Sequence, residues 1–202
     1  MKNRRIYVEK YSRFQVEADT LRNELNTNLG LSIEQLRYIN VYDLFGFSDE
    51  LLERSRYTVF GEVVTDAVTD QCDMQGMPFL AVEFLPGQFD QRAASAVDCV
   101  HLIEPNAEVK IKSSRLYIFD NSVDHEAMAR IEKYLINAVE SRKKNLEVLS
   151  DNESAEIKPV AVLEGFREMK EEELAPYCKA NGLAMNADDL REVVNYFRKE
   201  GR

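Results

Sequence analysis

A chain of 202 residues, 45% hydrophobic and 31% charged, is long enough to bury about 70% of its unfolded surface without disulfide or metal staples. Its formal charge of -10 disfavours a nucleic-acid partner, which would call for a basic stripe, and no apolar stretch approaches the ~20 residues of a membrane span. Three widely spaced cysteines, Cys72, Cys99 and Cys178, and an N-terminus running from Met1-Lys2-Asn3-Arg4-Arg5 into a strand-like segment without a secretory leader point to a reducing, cytoplasmic setting.

Arg5 to Lys10 predicts a short strand, and Ser12 with Gln15 a capping box for the helix after it. Phe14, Ala18, Leu21, Leu25 and Leu29 recur at spacings of three and four, giving one apolar face that Gly30 terminates. From Leu36 to Phe47 the β-branched and aromatic residues suit either one long bent strand or two short ones around Asp43. Ser48 is expected to cap a helix through Leu51, Leu52, Ser55 and Val59, and Glu62 to Thr69 to return as a strand. The unperiodic segment from Gln71 to Pro78 closes a first unit.

A second unit opens with the apolar run from Phe79 to Leu85, which stops at Pro86-Gly87. Asp90 then stands where its side chain can cap a helix through Ala93, Val97 and Val100. Phe89, Ala93, Ala96 and Val100 each lie 75 positions after Phe14, Ala18, Leu21 and Leu25, and Val82-Glu83 lies 74 after Val8-Glu9. One residue is gained in the turn, and the pattern reads as an internal repeat. Ile111, Leu116, Tyr117, Ile118 and Phe119, with Ser113-Ser114 among them, mirror the bent strand. Met128, Ile131, Leu135, Ala138 and Val139 predict one long helix from about Val123 to Leu146.

The expected fold class is therefore α+β: duplicated β-α-β-β-α-β units at about 1–75 and 76–155 forming a pseudo-dimer with an antiparallel sheet. The half-sheets would stack or join edge to edge, with helices covering one face. Beyond a polar break, residues 156–202 form a smaller segment. It comprises a last strand from Ile157 to Leu163 interrupted by Pro159, an acidic helix after Lys170 limited by Pro176 and ending by Asn181-Gly182, and a helix capped by Asn186 with Asp189. That segment is too short for a large core and suits a connector.

Chemistry is scarce. His101 and His125 have no cysteine or carboxylate neighbours at metal-ligand spacing, and no glycine-rich phosphate loop occurs. Arg142-Lys143-Lys144 would complement the end of the predicted long helix, and the acids around Glu171 and Asp188 would cap helices. No catalytic, cofactor-binding or metal residue is assigned. The candidates for structural or domain-interface roles are Pro86 and Gly87 for backbone geometry, Asp90 for capping, and Gln91 and Arg92 for contacts with another domain.

Leu85-Pro86-Gly87-Gln88-Phe89-Asp90-Gln91-Arg92-Ala93, followed by Ser95-Ala96 and Cys99, resembles the N-terminal region of the large single-chain phosphoribosylformylglycinamidine synthases. Ile6 to Lys10 with Val16-Glu17-Ala18, the segment from Leu36 to Asp43, and the segment from Asp189 to Arg202 resemble other parts of the same region, so the likeness covers nearly the whole chain. It implies a duplicated domain similar to the small separate subunit, PurS, of split enzymes, followed by the start of a linker domain. Family members use ATP and magnesium, and pass ammonia from a glutaminase to a synthetase core during purine biosynthesis. The resemblance puts nucleotide, metal and glutaminase cysteine in later domains, whereas this sequence stops at Gly201-Arg202. None of Cys72, Cys99 and Cys178 matches the glutaminase nucleophile. The implied role is a non-catalytic scaffold without cofactor of its own, whose partners are the synthetase and glutaminase domains. The alternative is a ligand-binding regulatory module similar to ACT domains.

Overall fold

The computed structural model describes residues 3–74, 76–151, 160 and 162–201. They divide into two compact units, Met1–Ala155 and Glu156–Arg202.

In the first unit, strands form where β-branched and aromatic residues can present side chains to both faces of a pleated ribbon. They are β1 (Arg4–Lys10), β2 (Leu36–Phe45), β3 (Asp66–Thr69), β4 (Phe79–Phe84), β5 (Lys110–Phe119) and β6 (Ser141–Lys143). All pair antiparallel in one sheet of order β3-β1-β2-β5-β4-β6. Four helices lie between them: α1 (Val16–Leu29), α2 (Asp49–Ser55), α3 (Gln91–Ile103) and α4 (His125–Leu135). The order of elements is strand, helix, strand, helix, strand, twice over.

The pairing registers of the two halves coincide. Val8 pairs with Asn40 and Val82 with Arg115, Ile6 with Tyr42 and Leu80 with Tyr117, Lys10 with Asp66 and Phe84 with Ser141. Each second pair lies 74 positions along on the first or fourth strand and 75 along on its neighbour. The halves meet through β2 and β5, paired over ten rungs from Leu36–Phe119 to Phe45–Lys110, with Asn40 opposite Arg115 near the middle.

Residues of one strand parity meet the helices. One core joins Ile6, Leu44, Phe47 and Leu52 to Ala93, Ala96, Val100 and Ile111. The other joins Leu25, Ile33 and Leu36 to Leu80, Phe119 and Ile131. Each helix after a turn packs on the central strand of its own half, α1 on β2 and α3 on β5, and also reaches the opposite half, α1 meeting α4 and α3 meeting α2. The opposite parity, Ile39, Val41, Ala81, Leu116 and Ile118, is buried on the second face beneath Cys72, Met74, Met77 and Leu146. Two straps outside the helices therefore do there what helices do on the first face.

Ion pairs fasten the second strap. Arg5 and Lys144 converge on Asp43, with Arg5 Nε at 2.5 Å and Lys144 Nζ at 2.8 Å, and Lys144 also reaches Glu83 at 2.9 Å. Arg5 donates further to the carbonyls of Leu146 and Val148. Burial opposes the Arg5 charge, but its bonding to Asp43 outweighs that, and the guanidinium pKa rises.

Several expectations change. β2 and β5 are continuous, so each half has three strands and not four. Both faces of these strands are covered, which removes any need for a break at Asp43 or at Ser113-Ser114. The long helix ends at Leu135, and the chain reverses through a turn in which Asn137 O accepts the amides of Glu140 and Ser141. It then returns as β6, because the outer edge of β4 would otherwise leave its backbone groups unpaired. Arg142-Lys143-Lys144 is thus a strand and strap segment, not a helix end. Ser12–Phe14 forms a tight 3₁₀ turn without a side-chain cap, and Gln15 donates to the Lys10 carbonyl instead. α2 continues as a wider π turn over Arg56–Phe60.

In the second unit, α5 (Glu171–Ala180) and α6 (Ala187–Glu200) close on Leu174, Cys178, Leu190 and Val194. Asn186 and Asp189 form the expected capping box, and Glu171 pairs with Arg191. α5 runs through Pro176 and ends at Ala180, with Asn181 as its C-cap, at the expected Asn181-Gly182 stop. Of the strand expected over Ile157–Leu163, residues 157–159 and 161 lie outside the described residues, and 162–163 are not in a strand.

Candidate functional site

The turn between β4 and α3 is built by the residues its sequence singles out. Leu85 O accepts the Gln88 amide at 3.0 Å, closing a four-residue turn with Pro86 and Gly87 at its centre. Gly87 has φ 88°, the left-handed value that the third position of a type II turn requires and that favours glycine. Nothing lies within 4 Å of a Cβ placed there, so the constraint is on the backbone alone. The turn is anchored to the end of the sheet by Leu85 N, which donates to Glu140 O at 2.9 Å.

Asp90 does more than cap. Its Oδ1 accepts from Ala93 N at 2.9 Å, and the same carboxylate accepts from Ser113 N at 2.7 Å and Ser113 Oγ at 2.8 Å. Pairing of β4 with β5 ends at the Glu83–Ser114 rung, so Asp90 takes over where β4 leaves the sheet. Asp90→Ala removes the cap, costing about 1 kcal/mol, and strips the Ser113 amide of its partner, costing roughly 1–3 kcal/mol more if water does not reach it. Chemical denaturation should show a loss of about 2–4 kcal/mol on these terms, with Asp90→Ser, which retains a cap, in between.

Behind the turn lies a cavity of about 520 Å³. Gln91 and Arg92, at the start of α3, border it together with Ser95, Ser113, Ser114 and Arg115. Phe84 and Phe89 supply apolar wall, and Glu140 and Ser141 border it from the β6 side. Burial works against the Arg92 charge, but the contact with the Tyr42 hydroxyl and the fields of Tyr42, Tyr38 and Glu17 outweigh it, raising the pKa. The Tyr117 phenol is pushed up to about 12, first by burial and then by Tyr38, against the pull of Arg115. It therefore stays protonated at neutral pH. Tyr38 and Tyr117 meet edge to face at 5.4 Å.

Of the residues singled out in the sequence, Pro86, Gly87 and Asp90 are structural. Gln91 and Arg92 are at the cavity. Arg115, Ser113, Ser114 and Glu140 carried no local signal and are brought in by strand register and by the turn before β6. Among the described residues, no group of three His, Cys, Asp or Glu side chains could hold a metal ion, and no helix is long and apolar enough to cross a membrane. Compared with protein-family models and with curated proteins, the chain matches none.

Proposed function

We propose that this chain is a non-catalytic scaffold, the N-terminal part of a phosphoribosylformylglycinamidine synthase, holding a glutaminase against a synthetase core so that ammonia passes between them. The observation that carries this reading is the recurrence of one strand register in both halves, joined through β2 and β5. This supports a duplicated, PurS-like unit acting as a fused dimer. The turn that carries the resemblance is rigidly tied by Gly87 and Asp90 while it leaves Gln91, Arg92 and Phe89 exposed, which suits contact with another domain. On this reading ATP and magnesium are handled by other domains of the enzyme, and purine biosynthesis is the setting.

The test is complementation. A synthetase–glutaminase preparation of this family lacking its N-terminal region is assayed with glutamine and with ammonia, before and after addition of this chain. Glutamine-dependent product formation should rise while ammonia-dependent formation changes little. A rise of the same size with both nitrogen donors, or with neither, would sink the scaffold role.

A further inference from the structure

We propose that the cavity behind the β4–α3 turn is a binding site for a small organic anion, its acidic group held between Arg92 and Arg115 and its body against Phe84 and Phe89. The inference is independent of the scaffold role.

The two halves differ at this place. In the first half the rung corresponding to Phe84–Ser141 is Lys10–Asp66, an ion pair at 3.0 Å. Where β5 has Ser113 on the face that α3 covers, β2 has Tyr38 at the matching register position, packed on Tyr117. In the second half an aromatic ring gives way to a hydroxymethyl group, and about 520 Å³ opens. Folded proteins keep few such spaces, since close packing is the rule. One that is lined by hydroxyls and cations is suited to a polar occupant.

The charges favour an anion. The chain has 36 acidic against 26 basic residues, and Arg4, Arg5, Arg22, Arg37, Arg54 and Arg56 all pair with carboxylates. Among the described residues, neither Arg92 nor Arg115 has an ion-pair partner. Asp90 serves the Ala93 amide of α3, and the amides of Gln91 and Arg92 precede it at the positive end of the helix. Of the acids at the cavity, Glu83 is neutralised by Arg142 and Lys144. Among the described residues Glu140 has no such partner, and its charge disfavours large polyanions.

The test uses the full chain, ¹⁵N-labelled, titrated separately with phenyl phosphate, benzoate and benzylammonium. Either anion should produce saturable shifts at the amides of Gln91, Arg92, Ser95 and Ser114, and benzylammonium should not. Preference for phenyl phosphate assigns phosphate monoesters, and preference for benzoate assigns carboxylates. Arg92→Gln and Arg115→Gln, both at exposed positions, should each weaken binding ~10-fold or more, as loss of a charge-assisted hydrogen bond does. Ser113→Tyr, which refills the space as Tyr38 does in the first half, should abolish binding. If that variant does not fold, the arginine variants decide. Absence of saturable shifts at these amides with both anions, or unchanged binding in both arginine variants, would overturn the proposal.

Discussion

Expressed as separate monomers, segments 1–75 and 76–155 are each expected to lack a cooperative thermal transition, and mixing them to restore one. Neither core is made by one half alone. Removing the second half takes Ala93, Ala96, Val100 and Ile111 from beside Ile6, Leu44 and Phe47, and strips Leu25 and Ile33 of Leu80, Phe119 and Ile131. Each large side chain so exposed forfeits roughly 1.5–3 kcal/mol. Half a dozen of them forfeit roughly 9–18 kcal/mol, as much as the 5–15 kcal/mol by which an entire domain is ordinarily stable. The cut also turns β2 into a ten-residue edge whose backbone groups have lost β5. Circular dichroism melts combined with analytical ultracentrifugation provide the measurement. A monomeric half with a sharp transition would contradict the account of intermingled cores.

Asp43→Ala is expected to destabilise the first unit by about 3–5 kcal/mol, the cost of breaking a buried pair and stranding its partners. Asp43 is 2% exposed and Lys144 7%. The variant would leave Lys144 with Glu83 alone and Arg5 with carbonyl acceptors only. Arg5 cannot shed its proton to relieve this. In a Lys144→Met background the same substitution should cost measurably less, because residues sharing one network do not contribute additively. Urea denaturation of the four proteins in this cycle measures the coupling. A cost below about 1 kcal/mol, the range of solvent-exposed pairs, would show that water compensates the site.

What could be read from the residues was local. Pro86, Gly87 and Asp90 specify a turn and a cap through their own backbone and side-chain chemistry, and both are found. The three-and-four spacing of Leu21, Leu25 and Leu29 likewise marks α1 without help from the rest of the chain. β6 is three polar or charged residues, Ser141–Lys143, and is a strand only because β4 offers it an edge. The helix before it ends without glycine or proline, so the apolar spacing of Ala138 and Val139 extends the pattern past its true stop. The cavity was illegible for a related reason. Ser113, Ser114 and Arg115 lie over twenty positions from Arg92, and only the ladder that pairs Val82 with Arg115 brings them together. Asp90 announces its cap, but its second grip, on Ser113, is a tertiary fact.

The ladder between β2 and β5 also bears on how fast the molecule can assemble. Its rungs join Phe45 to Lys110 and Leu36 to Phe119, 65 and 83 positions apart, and both cores close only when that seam does. The loop must be closed, at an entropic cost, before its apolar contacts form. Chains dominated by such distant pairings fold in milliseconds to seconds and not microseconds. During that interval β2 and β5 are exposed, apolar and unpaired, so the same seam that unites the halves is where a newly made chain is most open to pairing with a neighbour.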